Sequence, residues 1–372
     1  MNVLFTCGGT AGHINPAVAL ARMFQERAPD CRILFVGADG GMETRLVPKE
    51  GFELRTVTIT NFRRSLTPAA MGHNVKTVFN MGRADRQAKA ILDDFQPTLV
   101  VGTGGYASFP VVKAAAKRGI PTAVHESNAV PGLTTKALAK TASLVMVGFE
   151  ESRGHYEHPE KVVVTGTPVR GEFFRYTRGE AREKLGFSDD RPLLLSYWGS
   201  LGAEVMNGYM GEFIRLECDD GQPFRHIHGA GRNFAALTRA LSGTDVCRDC
   251  HPGVEVREYI YDMPLVMAAA DLVLCRAGAS TISELAAIAK PAILVPSPNV
   301  TADHQTKNAR VLADAGGAVL LPEKECSGKR LYGEASALLR DAGRRARMAR
   351  ALTTLSIPDA NEKIYAALQT LL

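Results

Sequence analysis

The sequence has few of the features that mark membrane, secreted or disulfide-rich proteins. Its 372 residues include no apolar run near the ~18 residues that span a membrane. Residues 1–9 have neither a basic start nor a long apolar stretch, so we expect no secretory signal and a cytoplasmic protein. The seven cysteines are scattered and odd in number, which favours free thiols in a reducing compartment.

Three common ligand-binding motifs are also missing. There is no G-x-x-x-x-G-K-[ST] phosphate loop, and the pair Gly9 and Gly12 gives only part of the dinucleotide motif G-x-G-x-x-G. A dinucleotide-dependent oxidoreductase is therefore disfavoured. No D-x-D occurs, although metal-dependent transfer from a nucleotide sugar usually holds its ion with carboxylates at that spacing. We expect no metal and no cofactor, with helix N-termini and Arg170 neutralising a diphosphate instead.

The composition is that of a folded globular protein with more than one domain. Hydrophobic residues make up 45% and charged residues 22%, which excludes a disordered chain. The length suggests two or three domains. The net charge of +5 is compatible with an anionic substrate or membrane surface and does not choose between them.

Short apolar runs alternate with helical segments along the chain, and this predicts a doubly wound α/β fold. The runs are continuously apolar, which is typical of parallel strands buried on both faces. The alternation of strands and helices is interrupted at 161–190 and then resumes. We therefore expect two such domains facing a cleft. Strands are predicted at 3–7, 32–36, 98–101, 122–125, 144–147, 193–197, 224–228, 254–258, 272–275 and 292–295. Helices are predicted at 16–27, 111–118, 133–140, 203–216, 263–270, 282–288, 305–315 and through the tail, with Pro358 starting the last segment.

Glycines lie just after five of the predicted strands. Such turns allow close approach of backbone, and a helix that starts next presents free N–H groups to an anion. Ligands of open α/β sheets bind at the carboxyl ends of strands, so the pattern points to a diphosphate-bearing ligand. For any single loop, a simple turn is an equally good interpretation. The loops are 8–13, 102–105, 199–202, 229–231 and 277–280.

Several polar residues near these loops are candidates for chemistry. His13 could take a proton from an acceptor hydroxyl, or merely hydrogen-bond its own loop. Arg170 could contact phosphate, or be a solvated linker charge. Glu284 could bind a ribose, or close a T-x-x-E capping box with Thr281. Residues 303–308 could contact sugar hydroxyls, or simply start a helix.

The cluster Cys247, Cys250 and His251 has the spacing of a haem attachment motif. A zinc site would need a further ligand, for which His226 and His228 are loose candidates. A chance cluster in a polar loop is the favoured interpretation, because short motifs often match by accident.

Seven blocks of the chain, in order, resemble the MurG-type N-acetylglucosaminyltransferases, which convert lipid I to lipid II in peptidoglycan synthesis. The resemblance is specific because the blocks occur together and in the family's order. One departure is Trp198, where the family usually has glycine; its bulk could narrow the phosphate loop or point into the core. The blocks are GGTAGHINP (8–16), GTGGY (102–106), HESNAVPG (125–132), GTPVR (166–170), GSLGA (199–203), RAGAST (276–281) and DHQTKNA (303–309).

The resemblance implies a GT-B glycosyltransferase with two Rossmann-like domains. Residues 1–168, joined by a final helix at 356–372, would bind the acceptor and the membrane, and 169–355 would bind the UDP-sugar. The donor would be UDP-N-acetylglucosamine and the acceptor undecaprenyl-linked lipid I. The protein would be peripheral on the cytoplasmic face of the cell membrane, bound to its anionic surface, with no nucleic-acid partner.

The resemblance also implies site residues. His13 is the candidate catalytic base for an inverting displacement by the C4 hydroxyl of the acceptor. Ile260 would contact uracil through its backbone, Glu284 the ribose and Gln305 the sugar. The implied donor contacts are Thr10, Ala11, Gly12, Asn128, Arg170, Ser200, Ile260, Ala279, Ser280, Thr281, Ile282, Ser283, Glu284 and Gln305.

A basic and apolar stretch at 54–92 adds a membrane interpretation. Its single acid is Asp85, and its apolar residues are interspersed with the bases. On pattern alone a solvated helix with a buried apolar face is the favoured interpretation, but the lipid-linked acceptor implied by the resemblance reverses that preference. The basic residues are Arg55, Arg63, Arg64, Lys76, Arg83, Arg86 and Lys89.

Three other functions remain open at this stage. The first is another GT-B protein, such as a diacylglycerol glycosyltransferase or a UDP-N-acetylglucosamine 2-epimerase. The second is the disfavoured oxidoreductase. The third is a non-catalytic nucleotide-sugar-binding protein, if Trp198 marks an altered site.

Overall fold

A computed structural model describes residues 1–60, 67–199, 202–242, 253–300, 303–357 and 359–372. These residues form two compact units. The first unit is Met1–Arg170 with Ile357–Leu372, and the second is Gly171–Ser356. The functional roles expected for the two domains stay predictions.

The first unit is built on a parallel sheet of seven strands with the order β3-β2-β1-β4-β5-β6-β7. Every pair of neighbouring strands in it is parallel. The strands are β1 (Asn2–Thr6), β2 (Arg32–Ala38), β3 (Glu53–Val57), β4 (Leu99–Gly102), β5 (Thr122–Glu126), β6 (Leu144–Val147) and β7 (Val162–Val164). Its helices are α1 (Ala11–Arg27), α2 (Glu43–Lys49), α3 (Pro68–Phe95), α4 (Ser108–Lys117) and α5 (Leu133–Ala139).

The second unit repeats the design with six parallel strands in the order β10-β9-β8-β11-β12-β13. Its strands are β8 (Leu193–Tyr197), β9 (Arg225–Gly229), β10 (Val254–Arg257), β11 (Leu272–Cys275), β12 (Ala292–Leu294) and β13 (Ala318–Leu320). Its helices are α6 (Arg178–Lys184), α7 (Glu204–Asp219), α8 (Phe234–Leu241), α9 (Met263–Ala269), α10 (Ala279–Ala287), α11 (His304–Asp314), α12 (Gly328–Arg340) and α13 (Ala342–Leu355). The last helix of the chain, α14 (Ala360–Gln369), belongs to the first unit.

Both sheets have the strand order of a Rossmann fold, and the predicted fold class of two Rossmann-like parallel-sheet domains is confirmed. The central strands are wholly buried, as their continuous apolar runs predicted. In each sheet the order reverses between the first and fourth strands, which are β1 and β4 in the first unit and β8 and β11 in the second. The connections that leave the two strands of such a pair run to opposite faces of the sheet. This leaves a crevice at the carboxyl ends of the strands in which a ligand can bind.

Some boundaries and elements differ from the predictions. Helix α1 begins at Ala11, so Pro16 is its sixth residue and not part of its first turn. The sequence prediction began this helix at Pro16 because proline is common in the first turn of a helix, and it was about one turn too late. The strands at 53–57, 162–164 and 318–320 were not predicted as strands, because they are short and only partly buried. Pro358 lies outside the described residues.

The final helix packs within the first unit. Ile364 and Leu368 are fully buried in the same apolar core as Phe5. The Tyr365 ring lies 5.2 Å from the ring of Phe24, and Arg27 pairs with Glu362 at the surface. Upstream, Gly166 has a positive φ of 80°, and a Cβ there would lie 2.9 Å from Ala360. The helix is therefore held by its apolar face and by a glycine turn that fits against it.

Replacing Ile364 with alanine should lower the free energy of unfolding by about 2–5 kcal/mol, because the change leaves a cavity in a closed apolar core. Urea unfolding followed by circular dichroism measures this loss. The control is Gln369→Ala on the exposed side of the same helix. An equally large loss in both variants would contradict the packing described.

Candidate functional site

His13 lies at the start of α1, just after the first glycine loop, and is half-buried. Its ring Nδ1 is 2.9 Å from the carbonyl oxygen of Gly8 and 3.3 Å from the Thr10 hydroxyl. A carbonyl can only accept, so Nδ1 carries the proton of the neutral ring, and Nε2 keeps its lone pair. The histidine does hydrogen-bond its own loop, and that bond prepares Nε2 to accept a proton.

The second glycine loop of this unit, at 102–105, lies directly against the first. A Cβ on Gly105 would be only 2.1 Å from the Gly8 carbonyl oxygen, and one on Gly104 would be 3.0 Å from His13 Nε2. Both residues have positive φ. The Thr103 hydroxyl donates to the His13 carbonyl at 2.7 Å. These two positions therefore need glycine for close approach as well as for turning.

A buried carboxylate, Glu43, anchors the first loop from the opposite side. Its Oε1 accepts from the Ala38 amide at 2.7 Å, and its Oε2 accepts from the Gly9 amide at 3.1 Å. The side chain fills space left by glycines, since a Cβ on Gly37 or Gly41 would lie within 2.5 Å of it. Burial, with a smaller contribution from the Glu43 charge, raises the pKa of the Cys7 thiol. Sequence reasoning missed this residue, although the glycines around it were a usable signal.

Asn128 follows β5 and is held by a second carboxylate. Glu126 Oε1 accepts from the Asn128 amide at 3.0 Å and from its Nδ2 at 2.8 Å, while Oε2 accepts from the Gly132 amide at 2.9 Å. The neighbouring His125 is fully buried, and burial lowers its pKa. Its Nε2 lies 2.9 Å from the Gly166 carbonyl. This contact joins the Asn128 loop to the segment that ends at the predicted phosphate ligand, Arg170.

In the second unit, glycines flank the loop between β8 and α7. Gly199 and Gly202 have positive φ values of 84° and 75°. A Cβ on Gly202 would be 2.4 Å from the Ala230 carbonyl oxygen, so this position also needs glycine. Ser200, the predicted phosphate contact between them, lies outside the described residues.

Trp198 points into the core of the second unit. It is 3% exposed and packs in the same apolar cluster as Leu194 and Met206, and the Arg276 guanidinium lies 5.9 Å from its ring. Of the two expected orientations, the structure therefore has the inward one.

Helix α10 contains the predicted run 279–284 and begins three residues earlier than expected. Its N-cap is Gly278, so Thr281 lies inside the helix and does not form a capping box with Glu284. That prediction was wrong because glycine serves as an N-cap as well. The amides of residues 279–281 are thereby among the first four of the helix, which have no partner within it. Burial is the main cause that raises the pKa of Tyr197, on the strand beside this helix.

Gln305 and Ile260 lie on two further segments of the second unit. Gln305 is at the start of α11, and its Oε1 accepts from the Ser297 amide at 2.8 Å, which orients its amide nitrogen. Ile260 follows β10 and is 5% exposed, and the rings of Tyr259 and Tyr261 beside it lie 4.8 Å apart.

The predicted residues thus follow the carboxyl ends of strands within each unit. His13 and the loop 102–105 come together in the first unit, and the loops at 199–202 and 277–280 flank the reversal point of the second. Within the described ranges, no three histidine, cysteine or acidic side chains gather as a metal site would require. Cys247, Cys250 and His251 lie outside these ranges.

Two Rossmann-like units with glycine turns at their reversal points define the GT-B class of glycosyltransferases. The glycosyltransferase family 28 N-terminal domain matches residues 3–147, and the family's C-terminal domain matches residues 197–364. The chain belongs to glycosyltransferase family 28.

Individual relatives agree with this membership. One from Acetivibrio thermocellus is 41% identical over 98% of this chain and 96% of its own, and is named UDP-N-acetylglucosamine--N-acetylmuramyl-(pentapeptide) pyrophosphoryl-undecaprenol N-acetylglucosamine transferase. The crystal structure of Acinetobacter baumannii MurG is similar with a TM-score of 0.74 and 27% identity, covering 99% of both chains. A UDP-GlcNAc 2-epimerase from Neisseria meningitidis shares the fold, with a TM-score of 0.68 and 15% identity over the whole of both chains.

Changing Glu43 to glutamine should cost about 1–3 kcal/mol of stability, because an amide NH₂ would then face the Gly9 or Ala38 N–H. Hydrogen exchange of the first glycine loop should also become faster. Urea unfolding and hydrogen-exchange mass spectrometry measure the two effects. The exposed Glu26→Gln is the matched control, and exchange that stays at the wild-type rate in Glu43→Gln would refute the anchoring role.

Proposed function

We propose that the protein transfers N-acetylglucosamine from UDP-N-acetylglucosamine to the C4 hydroxyl of lipid I, forming lipid II. The observation that carries this is the full-length similarity to transferases of that name, together with a histidine whose free ring nitrogen faces a glycine loop. The acceptor oxygen attacks the anomeric carbon, the bond from that carbon to the UDP oxygen breaks, and the configuration inverts.

His13 is the proposed general base. In the neutral ring, Nδ1–H is occupied by the Gly8 carbonyl, so Nε2 is the nitrogen that can take the hydroxyl proton. Because the same bond holds the ring plane, the base does not have to be oriented again in each turnover. The Thr10 hydroxyl, 3.3 Å from the same nitrogen, can accept as well as donate and is compatible with this tautomer.

The departing diphosphate needs positive potential rather than a proton. In the second unit, helices α7 and α10 both begin beside the reversal point of the sheet, and their first N–H groups and dipoles favour an anion there. Arg170 and Ser200 are proposed phosphate contacts from their sequence positions, as are residues 279–281. These groups would stabilise charge that develops as UDP leaves.

The nucleoside and sugar contacts are proposed on the same basis. Glu284 would accept from the ribose hydroxyls and Ile260 would meet uracil through its backbone. Gln305 would donate from the amide nitrogen that Ser297 helps to orient. Thr10, Ala11, Gly12 and Asn128, with Ile282 and Ser283, complete the proposed donor contacts.

Replacing His13 with alanine should lower kcat by about 100- to 10,000-fold, because the acceptor proton loses its base, while UDP affinity stays near that of the wild type. The assay incubates UDP-N-acetylglucosamine with a short-chain lipid I analogue and measures the disaccharide product by mass spectrometry. EDTA in a parallel reaction tests metal independence.

The matched control is His158→Ala, a histidine whose side chain is 51% exposed. Loss of product in the wild type with EDTA, restored by magnesium, would overturn the metal-free route alone. A wild type that binds UDP but yields no product in either buffer would overturn the proposed acceptor.

We also propose that the protein binds the cytoplasmic face of the membrane through the basic stretch 54–92. The described side chains of helix α3 include three large apolar ones that are exposed, Met71, Val78 and Phe79, at 60%, 59% and 77%. Exposed apolar side chains interspersed with basic residues are more typical of a helix that lies on an anionic bilayer than of one that contacts only water. Among the described residues, no helix has both the length and the apolar character needed to cross a membrane.

Phe79→Ser should weaken sedimentation with vesicles of anionic phospholipid, because it removes the most exposed large apolar side chain among the described residues of the stretch. Charge reversal at Arg63, Arg64 and Lys76 should do the same. The side chains of these three residues lie outside the described part of the chain. Val163→Ser, at a valine 39% exposed on β7 of the first unit, is the control. Unchanged sedimentation of the Phe79 and charge-reversal variants would refute the proposed surface, and UDP binding should stay intact in all of them.

A further inference from the structure

A buried chain of hydrogen bonds runs through the second unit, and the reaction above makes no use of it. It joins five side chains that are each at most 3% exposed. We refer to it as the buried polar chain. Its members are Glu217 and Asn207 on α7, Ser196 on β8, and His226 and His228 on β9.

The parallel register of β8 and β9 brings these groups together. Ser196 pairs with His228 and Leu194 with His226. Alternate residues of a strand share a face, so the serine and both histidines point to one side of the sheet. Helix α7 packs on that side, where Phe213 lies in the same apolar cluster as Leu194.

The links of the chain are short and continuous. Glu217 Oε2 lies 2.8 Å from His226 Nδ1. The Ser196 hydroxyl lies 2.7 Å from His226 Nε2 and 2.7 Å from His228 Nδ1. His228 Nε2 lies 2.9 Å from Asn207 Oδ1, and Asn207 Nδ2 lies 2.9 Å from the Ala230 carbonyl oxygen.

These contacts allow one arrangement of protons over most of the chain. The Ala230 carbonyl only accepts, so the Asn207 amide donates to it and Asn207 Oδ1 accepts from His228 Nε2–H. Burial, with a smaller contribution from His226, lowers the pKa of His228 to about 3, so its Nδ1 is unprotonated and accepts from the Ser196 hydroxyl. The serine oxygen then accepts from His226 Nε2–H. The last hydrogen bond of the chain, between His226 Nδ1 and Glu217, contains one further proton. Burial raises the pKa of Glu217.

The chain ends at the loop proposed for the diphosphate. Asn207 is in the first turn of α7, where its backbone N–H donates to the Ala203 carbonyl at 2.9 Å. The carbonyl that its side chain holds, on Ala230, is the one against which Gly202 packs, with 2.4 Å left for a Cβ. One amide group thus joins the end of β9, the closing glycine of the loop and the start of the helix.

We infer that Asn207 and His228 are positioning residues for the donor diphosphate, acting through the Ala230 carbonyl and Gly202 on the start of α7. Apolar packing would hold the helix against the sheet but is not directional, whereas a continuous chain of hydrogen bonds sets the rotation of the helix and its height above the sheet. The inference rests on the proposed function, because it takes this end of α7 as the diphosphate site.

The test compares His228→Leu, His228→Gln and Leu338→Ala in the full-length protein. Leu338 is fully buried in the same core but lies on α12, so its variant reports lost packing alone. UDP affinity is measured by calorimetry, and KM is measured separately for donor and acceptor.

His228→Leu should weaken UDP binding about tenfold and raise the KM for the UDP-sugar to match. The reason is that Asn207 Oδ1 loses the buried N–H group of His228 from which it accepts a hydrogen bond. The acceptor KM should not change. His228→Gln should recover most of the affinity, since the amide nitrogen of the new side chain can donate to Asn207. Leu338→Ala should lose stability without losing UDP affinity.

Equal changes of UDP affinity in His228→Leu and Leu338→Ala would overturn the inference, as would no rescue by glutamine. If His228→Leu does not fold, Ser196→Ala replaces it, with a several-fold loss expected and an unchanged UDP affinity counting against the inference. A wild type that binds UDP but transfers no sugar refutes the proposed reaction, and the UDP measurements still decide the role of His228. A wild type that binds no UDP overturns both.

Discussion

The carbonyl group of Gly8 is the contact on which the chemistry of the first unit depends. Its oxygen accepts a hydrogen bond from His13 Nδ1–H at 2.9 Å, and Gly105 packs against the same oxygen without room for a side chain. Any residue larger than glycine at 105 would push the two loops apart and move the carbonyl that orients the histidine. The tautomer of one ring and the packing of two loops are therefore one constraint.

The two units anchor their glycine loops with different polar groups. In the first, a buried carboxylate, Glu43, anchors the glycine loop by accepting from backbone N–H groups. In the second, a neutral amide, Asn207, anchors it by donating to a carbonyl. The acid of the buried polar chain, Glu217, lies ten residues further along α7, about 15 Å away at the rise of a helix.

The sequence predicted much of the site because glycines placed directly after apolar runs are typical of the turns that follow buried strands. The loops at 8–13, 102–105 and 199–202 were all identified in this way. Glu43 and Asn207 were not, because the role of a single polar residue on a helix depends on which backbone group it meets, and only the fold decides that. The predicted capping box at Thr281 was wrong for a related reason. The motif describes four residues, whereas the turn before them decides where the helix begins.

The sequence by itself determined the fold class, the strand rhythm and the family, since apolar periodicity and ordered motifs are local and cumulative. Only the tertiary structure decided which nitrogen of His13 is free, that Trp198 points into the core, and that two histidines and a serine line up on one face of a sheet. Those outcomes depend on atoms far apart in the chain. Pairing across strands and closure of glycine loops bring them within hydrogen-bond distance, and no local pattern records those contacts.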